Sequence, residues 1–160
     1  MLPEEVTKFI GQAGSVKVFE VEKGAIKRFA DAIDDPNLLY WDEEYARNSR
    51  YGSLIAPPGF FGWPAKLPRG APLTSASELM VNLRPAITKA GYPRSLDGGI
   101  DYEFFHPVRA GDTLAVSSMI KDIIGREGKT GKLVFVITET TYTNQNGDLV
   151  ARARGTSIFR

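Results

Sequence analysis

The chain has 160 residues, and 20 Lys and Arg against 19 Asp and Glu leave a net charge of +1. That balance excludes a nucleic-acid binder driven by counterion release, and no run of like charge forms a basic tail or an acidic arm. The absence of Cys and a single His, His106, exclude disulfide frameworks, thiolate metal sites and Cys nucleophiles, and within one chain any two-histidine mechanism. A hydrophobic fraction of 42% and a mean hydropathy of −0.19 suit one folded domain spanning residues 1–160. No stretch approaches the roughly 20 apolar residues of a membrane span. The start, Met1-Leu-Pro-Glu-Glu-Val, carries no charged-then-apolar leader, so a cytoplasmic protein is expected.

In chain order, residues 15–22 read as a short strand with Val16, Val18 and Glu20 on one face. In 24–33, Ile26, Phe29, Ala30 and Ile33 fall at helical spacing. Asp34-Asp35-Pro36-Asn37 ends that helix, because Pro disfavours helical geometry in the residue before it. Asp42 can cap a second short helix reaching Arg50. Residues 56–72 hold five prolines and three glycines among bulky aromatics, so they cannot form one regular helix. An apolar loop of this kind is expected to cover a pocket or an interface. Ser75-x-x-Glu78 then reads as a capping box, followed by a helical stripe through Leu79, Leu83, Ala86 or Ile87, and Ala90 that Pro85 is expected to kink or end.

The last third is rich in Val, Ile, Thr, Tyr and Phe. Strands are expected over 100–106, 112–124, 133–144 and 149–159, as an antiparallel meander. Asn146-Gly147 is a strong hairpin signal. Gly125–Gly131 lacks the spacing of a phosphate loop and reads as another hairpin turn. The fold class is α+β, with a curved sheet wrapped around a helix that starts within 56–80.

Four segments carry a resemblance to a known family. Asp35-Pro36-Asn37-Leu38-Leu39-Tyr40-Trp41-Asp42 resembles the Asp-x-Asn-Pro-(apolar)-His-x-Asp signature of MaoC-like hydratases and dehydratases, which have the hot-dog fold. It matches at Asp35, Asn37 and Asp42; Leu38 replaces the family Pro, and Tyr40 stands where the catalytic His belongs. Residues 50–60 are similar to the segment entering the family's central helix. Ala56-Pro57-Pro58 there resembles the non-catalytic, N-terminal half of fatty-acid-synthase-type dehydratases. Residues 98–114 and 131–151 resemble the later strand pair and the final hairpin, so the resemblance runs from about Val16 to the end of the chain.

The resemblance implies interconversion of enoyl and 3-hydroxyacyl thioesters. That reaction needs a deprotonated water near the β-carbon and hydrogen-bond donors for the enolate oxygen. It also implies catalytic positions at Asp35, Asn37 and Tyr40, and substrate binding at Ala56, Pro57, Pro58, Gly59 and Phe60. A phenol with a pKa of about 10 is a poor base at neutral pH, so the chain reads as chemically incomplete by itself. Against the functional reading, Asp34 and Asp35 suit a helix-ending turn, and Tyr40 and Trp41 suit simple packing, which is the expectation for Trp41. His106, in a strand near a turn, is expected to be partly exposed. Arg50, Arg69 and Arg84 are candidates for the phosphates of CoA or a carrier arm.

No metal or redox cofactor is implied; CoA or a phosphopantetheine carrier enters as part of the substrate. The expected assembly is a homodimer, or a heterodimer with a MaoC-like catalytic subunit. Three readings stay open. The chain is the acyl-binding subunit of a heteromeric dehydratase, a self-sufficient homo-oligomeric hydratase using Asp35 with Tyr40 or water, or a non-enzymatic acyl-thioester binding module.

Overall fold

A computed structural model describes residues 2–66, 69–128 and 131–160, so the middle of the Pro-rich segment and the tip of the 125–131 turn lie outside the described residues. The chain order is α1 (Glu4–Thr7), β1 (Lys17–Glu20), α2 (Lys23–Ala32), α3 (Leu38–Trp41), α4 (Glu43–Asn48), β2 (Trp63–Pro64) and α5 (Ser75–Lys89). The long strands β3 (Ser95–Phe104), β4 (Thr113–Gly128), β5 (Gly131–Thr143) and β6 (Leu149–Phe159) follow. All pair antiparallel in the order β2-β1-β4-β5-β6-β3, and the sheet curls around α5. The expected α+β hot-dog architecture is therefore present, with its helix starting inside the expected window.

Two apolar clusters fill the interior. In one, Leu79, Leu83 and Ile87 of α5 pack on Ile120, Ile123, Val134, Val136 and Phe159, and Val6 of α1 closes the end. In the other, α2, α3 and the 55–61 loop pack against Phe19, Val21, Leu114, Val116 and Val150. Ser118 and Thr140, both buried, pair hydroxyl to hydroxyl at 2.7 Å, and the Ser118 N–H donates to Ser75 Oγ at 3.0 Å. Burial of these polar groups is offset by bonds between them.

Several local expectations need correction. Around β1, Val16 and Val18 do share a face, but it is the exposed one, at 60% and 48%, while Phe19 and Val21 face the core. Apolar residues occur at both parities there, so alternation could not select the face. The cap of α5 is Thr74 with Ser77, not Ser75 with Glu78. Ser75 is buried against β4, and Glu78 instead holds Lys17 at 2.8 Å and accepts from the Ser15 N–H. Pro85 does not end α5, which continues to Lys89. It sits on the exposed side with Val81, so the carbonyl it leaves without a donor lies on the solvent-facing side of the helix.

The meander is limited to β4-β5-β6. The strand read at 100–106 begins at Ser95 and pairs with β6 rather than with β4. Residues 105–112 form no hairpin because their backbone is used elsewhere: Ala56 N–H donates to Val108 O and Ala110 N–H to Leu54 O. The β5–β6 hairpin stands as expected, closed at Asn144 and Asp148 around Asn146-Gly147. Among the described residues no helix is long and apolar enough to cross a membrane.

Candidate functional site

The turn after α2 is built from its own polar side chains. Asp34 adopts φ 54°, the left-handed region that Asp tolerates better than most residues. Asp35 Oδ1 accepts from the Asn37 N–H at 3.0 Å, and Asn37 Oδ1 accepts from the Leu39 N–H at 3.1 Å, capping α3. The Trp41 indole donates to the Asp35 carbonyl at 2.8 Å, the structural part expected of it. Asp42 then caps α4 through the Glu44 and Tyr45 N–H groups.

This winding turns Tyr40 inward, where it is only 7% exposed. Burial raises its phenol pKa above the ordinary value; the Asp35 carboxylate adds to the rise, and a hydrogen bond with Asn37 opposes it. The turn ties Asp35 to Asn37 and leaves Tyr40 near enough for the Asp35 charge to act on its phenol.

A second turn lies alongside. Phe60 N–H donates to Pro57 O at 3.0 Å, with Pro58 and Gly59 at the corners and Gly59 at φ 90°. Pro followed by a left-handed Gly is the composition of a type II turn. Pro57 is fully buried and Phe60 packs on Phe29 with ring centroids 4.9 Å apart. Ala56, Pro57, Pro58, Gly59 and Phe60 form one wall of a groove of about 420 Å³, and Asn37 and Tyr40 line it too. Its rim carries Arg50, Phe104, Phe105 and His106. The Arg50 guanidinium lies over the Tyr51 ring, 4.8 Å from the centroid.

Asp35 does not line this groove. It lines a neighbouring cleft of about 300 Å³ with Asp34, Pro36 and Trp41. His106 is exposed as expected, but it lies just beyond β3 rather than inside a strand. Its place on the groove rim was carried in the sequence only by the turn Phe104-Phe-His-Pro-Val108. Arg84, on α5, reaches Ser95 and stands apart from the groove. A further groove of about 400 Å³ beside Leu2, Tyr92 and the base of the β4–β5 hairpin is lined by none of the residues assigned to catalysis or substrate binding. Among the described residues no three His, Asp or Glu side chains are grouped to hold a metal ion.

Residues 8–153 match the family described as "FAS1-like, dehydratase domain region". The chain belongs to this family. Proteins of similar sequence include a "UPF0336 protein" of Streptomyces avermitilis, 34% identical over 66% of this chain and 63% of its own length. A "probable enoyl-CoA hydratase alpha subunit" of Thermomonospora curvata is 30% identical over 81% of this chain and 41% of its own length. The chain thus spans less than two thirds of both relatives. Among solved structures, the ChsH1–ChsH2 complex of Mycobacterium tuberculosis superposes with a TM-score of 0.78 at 17% identity, covering 91% of this chain and 87% of the other. The HadBC (3R-hydroxyacyl-ACP dehydratase) complex of the same organism gives 0.65 at 24%, covering 96% and 98%. This FAS1-like dehydratase-region chain therefore has the fold of the MaoC-like hot-dog hydratases and dehydratases.

Proposed function

We propose that this chain is the acyl-thioester-binding subunit of a two-chain hydratase/dehydratase, whose partner supplies the Asp and His that handle water. The observation that carries the reading is the state of Tyr40. It stands where the resemblance would put the family's imidazole, lies buried, and has its phenol pKa raised rather than lowered. Such a group stays protonated at neutral pH and cannot act as the general base. Asp35 is tied to the Asn37 N–H and lines a different cleft from the groove, which counts against the self-sufficient alternative.

The groove keeps the features of a binding half. Its Pro57 and Phe60 wall suits an acyl chain, and Arg50 on the rim suits the phosphates of CoA or a phosphopantetheine arm. No metal or redox cofactor is needed for this role. The groove also reaches Phe104 and Phe105 at the end of β3, the terminal strand of the sheet, so a partner pairing there would sit beside bound substrate. Likeness to the ChsH1–ChsH2 and HadBC complexes supports a paired assembly.

The test is hydration of crotonyl-CoA by the purified chain, alone and together with the hydratase-like product of its genomic neighbour. Turnover is expected only with the partner. Asp35→Ala should leave the assembled activity within about threefold, whereas loss of a working general base costs about 10²–10⁴-fold. Tyr40→His alone should give weak activity at best. Robust turnover by the unpartnered protein, lost on Asp35→Ala, would overturn the reading.

A further inference from the structure

The outward face of the sheet carries one row of alternating charge, and beside it an Arg–Glu pair, and both end negative on the last strand. Across β4, β5, β6 and β3, Lys121 lies 3.7 Å from Glu139, Glu139 stands opposite Arg154, and Arg154 stands opposite Asp101. In the next outward row Arg152 stands opposite Glu103 and bonds to it at 3.1 Å. β3 is the last strand, and all ten of its residues are exposed. Asp101 and Glu103 are therefore the terminal members of their rows, each with an arginine on one flank and no strand on the other among the described residues.

We propose that the free edge of β3 selects against a second copy of this chain and in favour of a partner strand with Lys or Arg on its outward face, opposite Asp101 and Glu103. The inference rests on the subunit reading above and names the chemistry of its partner. Strand addition to an open edge takes its affinity from main-chain bonds and its choice of partner from side chains at alternate positions. On the inward face Ile100, Tyr102 and Phe104 are apolar, with the Tyr102 and Phe104 rings stacked at 5.6 Å. The partner strand is thus basic outward and apolar inward.

Self-pairing fails on the outward side. In an antiparallel pair, directly opposed residues share a face, so outward positions meet outward positions. A two-fold axis at residue 102 puts Asp101 against Glu103 twice. An axis at 101 puts Asp101 against Asp101, and one at 103 puts Glu103 against Glu103. Each central register opposes carboxylates, while a basic partner gives every carboxylate a cation on both flanks. Cross-strand charge pairs each shift association by roughly 1.5- to 5-fold in either direction.

A charge-reversed copy of the chain, Asp101→Lys/Glu103→Lys, serves as the basic partner, and sedimentation equilibrium reads the pairing. The mixture of native and reversed chains should associate about tenfold or more tightly than either alone, with the advantage collapsing in 1 M salt, where the screening length is about 3 Å. The neutral variant Asp101→Asn/Glu103→Gln, which places no lysine beside Arg152 and Arg154, should self-associate severalfold more tightly than the native chain. Equal or absent association in mixed and unmixed samples overturns the proposal, as does an advantage unchanged by salt or a neutral variant no tighter than the native chain. The assay does not read turnover. A preparation that pairs selectively yet hydrates nothing with any partner supports the edge assignment and counts against the catalytic reading alone.

Discussion

The two edges of the sheet are finished in opposite ways. At one, β1 has four residues and β2 only two, one of them Pro64, which has no N–H to offer a further strand. Gly62 is folded so tightly against β1 that a Cβ there would lie 2.3 Å from Glu20 O. Glu78 of α5 reaches over to Lys17 and Ser15 and ties the helix to this edge. At the other, β3 offers ten exposed residues, among them Leu96, Ile100, Tyr102 and Phe104. Natural sheets normally blunt an edge with short strands, proline or a covering element. A chain that does so on one side and leaves the other long, with apolar and acidic side chains alternating at its end, has an edge fit for pairing, and the candidate groove opens beside that edge.

The largest effect is expected where the closed edge has no room. Gly62→Ala combines a left-handed backbone, φ 82°, with a backbone clash, and should cost about 2–4 kcal/mol in urea unfolding. A loss under about 1 kcal/mol would mean that this edge has room for a side chain.

Glu78→Gln should cost about 1–2 kcal/mol at neutral pH. Bonds from Lys17 and Ser15 hold the Glu78 carboxyl down to about 2, from an ordinary 4.5. Because the folded pKa is lowered, the contribution is present above pH 4.5 and is lost as pH falls towards 2. The variant should therefore lose less stability than the native chain over that acid window, and parallel unfolding curves would argue against the tie. Thr74→Ala, removing the cap of the same helix, should cost about 1 kcal/mol by thermal melting.

The smallest effect on the free chain is expected at the open edge. Ile100→Asp, at a side chain 53% exposed, should change unfolding free energy by no more than about 0.5 kcal/mol. Its effect should appear instead as weakened capture of the partner in a pull-down. A large stability loss would show that β3 already packs within the free chain, and the contrast between the edges would disappear.

Much of the site was legible because it is local. The turn at 34–37 is made by side chains bonding their own neighbours, so its residue types announce it wherever the rest of the chain goes. The same holds for the Asp42 cap and the Asn146-Gly147 hairpin. The groove as a whole was not legible. Arg50 and His106 are 56 positions apart in the chain and share a rim only because the 54–56 segment bonds to residues 108–110.

Alone, the sequence determined the α+β class and the helical stripe through Leu79 and Leu83 that the sheet wraps. Each of these follows from spacing within a few residues, and spacing is a property of the chain itself. Only the tertiary structure decided that Phe19 rather than Val18 turns inward, that Pro85 is tolerated in α5, and that β3 crosses to β6 and becomes an edge. It also separated Asp35 from the groove that Tyr40 enters. These outcomes depend on which surface of an element meets another, and a pattern with apolar residues at both parities, or a proline on a solvent-facing turn, is compatible with either answer until the partner element is in place.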